Sequence, residues 1–260
     1  MAVRIRASSI ASIIDCPLRG LSIVLGLVKP LPSTAPAAIG TAVHASTAAF
    51  DQAVATGDDV KPDDTAQVAV DLICRPEEDV DWGRVSEKEA LRRALGVHTR
   101  YCTDVAPRMT YTEIELDLAP FDVNVEGVEI QLTGTLDRVA RDDPTMKIGV
   151  ADIKTGARAC SQSPGKHKGQ LATYELLYEN TTGQTCTLPP AILALQTSSE
   201  YQVDVKTVQN ARDSLVGVDE QIGYLQYIAR MLKSGDFIGN PSSWLCSEKY
   251  CPLHNSCIFK

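Results

Sequence analysis

The stretch from Gly134 to Lys154 reads GTLDRVARDDPTMKIGVADIK and carries the residues best suited to chemistry. It sets Asp137 on one run of alternating apolar residues and Asp152-Ile153-Lys154 on the next. Between them, Arg141-Asp142-Asp143-Pro144-Thr145 is a cluster of turn formers joining two strand-like segments. Strand side chains alternate faces, so Asp152 and Lys154 share a face while Ile153 points into the core. A hairpin brings Asp137 alongside them. Two carboxylates and an ammonium on one edge suit a divalent cation and the water it activates. The carboxylates hold the ion; the lysine orients the nucleophile or stabilises negative charge developing on a phosphorane-like oxygen. Taken alone, Asp-x-Lys serves as well as a solvated charge pair on a surface hairpin, so the rest of the chain has to decide.

The elements around this hairpin follow from pattern. Residues 8–27 form an apolar-faced helix capped at Ser8 or Ser9, which Pro17, directly after Cys16, must kink or break. Residues 30–38 are a loop ending at Gly40-Thr41, where a second helix opens and runs to about Val54. It carries His44, a helical histidine that beside a carboxylate pair becomes a candidate metal ligand. Ser86-Glu87-Lys88-Glu89 is a capping box opening a helix to about Thr103. In Tyr111–Leu118, Glu113 and Glu115 alternate onto one face, with Ile114, Leu116 and Leu118 on the other. Strands over Val123–Val125, Glu129–Thr135 and Lys147–Ile153 follow, with Glu126-Gly127 as a turn. His167–Asn180 is a helix that stacks Gln170 and Tyr174 on one face. Ala191–Gln196 and Tyr201–Val205 are strands, and an apolar stripe from Val208 to Leu232 reads as one long helix. The whole is an α/β (α+β) domain: a small central mixed sheet flanked by helices.

Its 260 residues, of ordinary apolar content, are enough for a proper core. No apolar run reaches membrane-spanning length, and the N-terminus lacks a secretory pattern, so the expected location is cytoplasmic, away from membrane. The net charge of -8 argues against a nucleic-acid partner only until it is mapped. Residues 51–90, read as an acidic helical or loop insertion, hold twelve acids and four bases, so the other residues sum to zero. From Lys154 to Lys168 the chain carries Lys154, Arg158, Lys166 and Lys168 with no acid. For a polyanion, local potential matters more than the sum. Of eight cysteines, Cys246, Cys251 and Cys257 crowd the last fifteen residues and Cys16 lies near the other end. In a cytosolic chain such a count points to a metal or cluster more than to disulfides. The scattered Cys74, Cys102, Cys160 and Cys186 read as buried or incidental thiols.

In order, the chain offers Gly40-x-x-x-His44, Gly134-x-x-Asp137, Asp152-x-Lys154 and Gln170-x-x-x-Tyr174, then the cysteine triplet. This succession resembles the RecB-like branch of the PD-(D/E)XK nuclease superfamily, with its restriction-endonuclease-like core. With Cys16-Pro17 and the triplet it is similar to the iron–sulfur members: CRISPR-associated RecB-like exonucleases, their phage-encoded relatives and the AddB nuclease domain. The resemblance covers nearly the whole chain, from Ser8 to Cys257, as one domain over residues 1–260. It implies that His44, Asp137 and Asp152, with the backbone carbonyl of Ile153, bind one or two Mg2+ or Mn2+ ions. It implies that Lys154 positions the attacking water and that Gln170 and Tyr174 contact DNA or support the lysine. Arg158, Lys166 and Lys168 are the expected DNA-backbone contacts.

The resemblance further implies a 4Fe-4S cluster on Cys16, Cys246, Cys251 and Cys257, fastening residues 1–30 to residues 240–260. Zinc is the alternative occupant, but one distant and three local ligands suit the cluster better than zinc's usual close pairs. Two features depart from these relatives: the spacing Cys246-x4-Cys251-x5-Cys257, and the lack of aromatics around Cys16-Pro17. The activity implied is metal-dependent exonuclease action on single-stranded or duplex DNA ends, in repair, recombination or phage DNA processing, with a helicase, recombinase or integrase as possible partner. Two other readings stay open at this point. One is a DNA-binding processing or assembly subunit; the other is a zinc-stapled interaction protein without catalysis.

Overall fold

The computed structural model describes residues 2–198 and 200–260. Its centre is a six-stranded mixed sheet. The long hairpin of β4 (Thr110–Val125) and β5 (Val128–Asp142) turns at Glu126 and Gly127. Both turn residues take left-handed φ, the conformation a tight two-residue hairpin needs. β4 covers one edge of β5 along its length. The other edge is shared: β1 (Val3–Arg6) pairs in parallel with Ile130–Thr133, and β6 (Lys147–Gly156) pairs antiparallel with Arg138–Asp142. Between Gly134 and Asp137, therefore, β5 has neither partner on that edge, and the sheet forks. β6 continues in parallel to β7 (Ala191–Gln196), which pairs antiparallel with β8 (Val203–Thr207).

Helices cover both faces. α3 (Ala35–Thr56), α4 (Pro62–Cys74) and α5 (Glu87–Asp104) bury Ile39, Val43, Ile73, Ala94 and Val97 against Ala151, Ile153, Leu193 and Leu195 of the sheet. The opposite face takes α1 (Ile10–Asp15), α6 (Lys168–Thr182), α7 (Ala211–Val216) and α8 (Tyr224–Ser234). Consecutive residues of β6 and β7 thus alternate between two cores, and α6 makes the crossover that parallel pairing of these strands demands. α2 (Pro17–Val24) and two short two-stranded pairings complete the fold: β2 (Ser33–Thr34) with β3 (Val80–Asp81), and β9 (Gly217–Val218) with β10 (Gln221–Ile222).

The helix expected over 8–27 breaks as Pro17 requires, at Cys16, whose extended backbone (φ -144°, ψ 94°) lets Pro17 start α2, where its missing N–H costs nothing. Other sequence expectations need correcting. α3 starts at Ala35, before Gly40, with Pro36 in its first turn. The stripe from Val208 to Leu232 is not one helix. Gly217 at φ +83° and Asp219 at φ +52° leave helical space and insert the β9–β10 hairpin. Ala211, Leu215, Leu225 and Ala229 still reach one core, while Val218 and Ile222, stranded in the hairpin, are exposed. In the acidic segment, read as a helical or loop insertion, the helix α4 buries Ala69 and Ile73 in a core. Among the described residues, no helix is long and apolar enough to cross a membrane.

Candidate active site

The fork in the sheet places the predicted residues. Asp137 stands on β5 just beyond the last β5–β6 pair, Arg138 with Ala151, so its side chain can enter the gap. There Asp137 Oδ2 accepts the Ile153 N–H at 2.7 Å. A strand residue directs its N–H and C=O to the same side, so the Ile153 carbonyl also faces this opening. Asp152, 1% exposed, turns towards α6, where Gln170 Nε2 donates to its Oδ1 at 2.9 Å. Lys154 Nζ lies 2.7 Å from Asp152 Oδ2.

α3 brings His44 to the fork from the other face. Its Nδ1 is 3.4 Å from Asp137 Oδ2. Gly40, one turn earlier, allows the approach, since a Cβ there would stand 2.7 Å from Thr155 Oγ1 on β6. Gly134 does the same for α6: a Cβ would meet the Tyr174 ring at 2.8 Å. The glycines of the first two motifs are thus spacers for helices. Gln170 and Tyr174, expected to contact DNA or support the lysine, are 4% and 5% exposed. Gln170 braces Asp152 and has its Nε2 3.1 Å from the Tyr174 hydroxyl.

The electrostatics divide the carboxylates. Burial pushes the Asp152 carboxyl up to about 6, opposed by Lys154 and aided by the Asp137 charge. Burial would raise Asp137 as well, but His44, Lys154 and the Ile153 N–H hold it below its ordinary value. His44 loses charge stability by burial and regains more from Asp137, so its pKa is raised. The basic loop converges beside them. Burial and the charges of Lys154 and Arg158 lower the Lys166 pKa, and burial, Lys154 and Lys166 push His167 to about 3. Arg158 and Lys166 are exposed and Lys168 is half-buried at the start of α6.

One residue at the fork escapes the sequence reading. His44, Glu115 and Asp137 each offer a donor atom, all within 4.8 Å of one another. Glu113 and Glu115 do not share a face as alternation predicts: Glu115 takes φ +51° and breaks the period. Glu113 stays near Tyr178 of α6, while Glu115 turns to Arg138. A divalent ion fits this donor set. Two ligands at right angles on an octahedral ion with bonds of about 2.1 Å stand about 3 Å apart. The His44–Asp137 separation is close to that, and Asp152, buried beside them, offers a further carboxylate whose Oδ2 is paired with Lys154.

Far along the chain, Cys16, Cys246, Cys251 and Cys257 line one cavity together with Arg19, Asn240 and Phe259. Burial and the charges of the other three sulfurs raise the Cys246 pKa. The tail is fastened to the N-terminal helices by hydrogen bonds: Arg19 Nε to the Tyr250 carbonyl, Asn240 Nδ2 to the Asp15 carbonyl, and the Asn240 N–H to Cys16 Sγ. Of the remaining thiols, Cys102 is buried, Cys160 and Cys186 are half-buried and Cys74 is exposed.

Comparison with solved structures finds the same fold in a protein from Eubacterium rectale called a "Putative exonuclease". The TM-score is 0.54 at 12% identity, over 94% of this chain and 87% of that one. SSO0001 aligns at a TM-score of 0.45 and 14% identity, over 99% of this chain and 87% of its own. No curated protein matches. The family model of the PD-(D/E)XK nuclease superfamily matches residues 4–258. A family that uses divalent metals on DNA accounts for carboxylates, histidine and lysine meeting at the fork, and the chain belongs to the PD-(D/E)XK nuclease superfamily.

Proposed function

We propose that this nuclease is a metal-dependent DNA exonuclease of the RecB-like iron–sulfur type, acting on DNA ends in repair, recombination or phage DNA processing. The observation that carries the reading is the pairing of Asp137 with Asp152 at the fork, with Lys154 Nζ 2.7 Å from the buried Asp152 oxygen. His44, Asp137, Asp152 and the Ile153 carbonyl would hold Mg2+ or Mn2+; the imidazole favours Mn2+. The bound ion supplies Lewis acidity to a phosphodiester and lowers the pKa of a water. Lys154 orients that water and faces the charge growing on the nonbridging oxygens. Gln170 keeps Asp152 aimed, while Arg158, Lys166 and Lys168 hold backbone phosphates beside the fork.

The four cysteines support a 4Fe-4S cluster as a structural staple. A tetrahedral zinc with bonds of about 2.3 Å would draw its sulfurs to about 3.8 Å from one another. A cuboidal cluster spreads its thiolates over separate corners, which suits one distant and three local cysteines. The N–H of Asn240, 3.4 Å from Cys16 Sγ, adds a donor of the kind that tunes cluster thiolates.

The test is anaerobic purification followed by digestion of end-labelled linear DNA with Mg2+, Mn2+ or EDTA, the visible spectrum being recorded on the same sample. A brown protein that shortens DNA from its ends only with metal supports the reading. Lys154→Ala should cost at least about a hundredfold in rate and leave DNA affinity within a few-fold. A colourless wild-type protein, inert with both ions, would overturn the proposal.

A further inference from the structure

We infer that Glu115 is a third carboxylate ligand of the same metal centre, aimed by the buried guanidinium of Arg138. This rests on the metal-dependent reading above. Glu115 belongs to the group of donors within 4.8 Å that includes His44 and Asp137. Its backbone takes φ +51°, a conformation that costs a β-region side chain about 1–2 kcal/mol. Arg138 Nη1 donates to Glu115 Oε1 at 3.0 Å and to the Asp137 carbonyl at 2.7 Å. Its Nε donates to Asp51 Oδ2 at 2.7 Å, on α3 two turns beyond His44. One wholly buried guanidinium thus fixes β4, β5 and α3, the elements that bring Glu115, Asp137 and His44 together. Because Arg138 engages Oε1, Oε2 is the oxygen left to face an ion. The buried Asp152, whose Oδ2 lies 2.7 Å from Lys154 Nζ, stands at the same fork.

The site would then take a divalent ion through three carboxylates and one imidazole, a more anionic set than the sequence motifs alone supply. More carboxylate charge at a flexible oxygen site tightens divalent binding.

The measurement is Mn2+ binding to the full chain without DNA, by titration calorimetry and by the electron paramagnetic resonance of free Mn2+. Wild type, Glu115→Gln, Glu115→Asp and Asp137→Asn are compared, with thermal melts as a control for folding. Glu115→Gln should weaken Mn2+ at least about tenfold with little change in the melt. Glu115→Asp, which keeps the charge and shortens the reach, should fall between and covers the case in which the amide variant folds poorly. If Asp137→Asn loses Mn2+ and both Glu115 variants bind like wild type, the centre stands and Glu115 is only the partner of Arg138. If wild type itself binds no Mn2+, or Asp137→Asn binds as tightly as wild type, the metal-centre reading fails, and the Glu115 assignment with it.

Discussion

Replacing Arg138 with methionine keeps most of the side-chain volume and removes the charge that holds Asp51 in the interior. Arg138 is wholly buried and the Asp51 side chain is 2% exposed, with Nε and Oδ2 2.7 Å apart. Glu115, the other carboxylate on Arg138, keeps 35% of its side chain exposed and can turn to water. The loss therefore falls almost entirely on Asp51. Removing one partner of a buried pair typically costs about 3–5 kcal/mol, because the charge left behind has neither water nor a counter-ion. That is a large share of a domain's net stability. Tyr101, whose hydroxyl donates to Asp51 Oδ2 at 2.6 Å, offsets only part of it.

The pH dependence has a definite sign. Burial already raises the Asp51 carboxyl above its ordinary value, against the pull of Arg138 and Tyr101. Without Arg138 it rises further, so the folded protein binds a proton where the unfolded chain has released it. Stability is then retained at low pH and lost as pH rises through the folded pKa. Urea unfolding at pH 5.5 and pH 8 should show the larger deficit at pH 8. Adding Asp51→Asn to Arg138→Met should restore part of it by removing the buried charge. A deficit below about 1 kcal/mol at pH 8 would refute the reasoning. So would an equal deficit at both pH values with no rescue by the second substitution.

Two further outcomes follow from other parts of the fold. Cys251→Ser should bleach the visible absorbance of anaerobically purified protein and lower its melting temperature, because the proposed cluster would join the tail to α1 and α2 through the four cysteines that line one cavity; an unchanged melt would remove the staple. Glu175, 7% exposed on α6, has its carboxyl pushed up to about 7, chiefly by burial against the pull of Arg212. A raised acid stabilises the fold only at low pH, so Glu175→Gln should be neutral near pH 4.5 and stabilising above pH 7. A gain on the order of 2 kcal/mol is expected after allowing for solvent screening, and equal urea midpoints at pH 8 would contradict it.

What the sequence reveals of this site depends on the range over which each piece is determined. The hairpin of Asp137 with Asp152 and Lys154 is local: its turn formers lie within one short segment, and β5 and β6 pair across it as alternation suggests. Pro17 likewise announces the break at Cys16. The fork is not local. It exists because four residues at the N-terminus, Val3–Arg6, take the edge of β5 that β6 leaves, and so short a strand carries no periodic signal. The buried pair of Arg138 with Asp51 joins positions 87 residues apart, each an ordinary surface residue by type. A single long helix over 208–232 fails for the opposite reason. Its stripe is genuine, but two short helices on one face satisfy the same period, and only Gly217 marks the interruption.

Glu115 shows most clearly where periodicity stops being a guide to chemistry. Along β4 the residues packed on the α6 face are Leu116 and Leu118, then Phe121, Val123 and Val125, so the alternation slips once near Ala119-Pro120. Proline cannot donate to a ladder, and that slip is written in the sequence. The turn of Glu115 towards Arg138 depends on a left-handed φ that glutamate rarely adopts, and no residue type announces it. Without it Glu115 would follow Glu113 towards Tyr178 and leave Arg138 facing Asp51 alone. With it, a third carboxylate is set beside His44 and Asp137. The backbone of β4 therefore leaves the extended region, with its register to β5 unchanged, at a position where unbroken alternation would aim this carboxylate away from the fork.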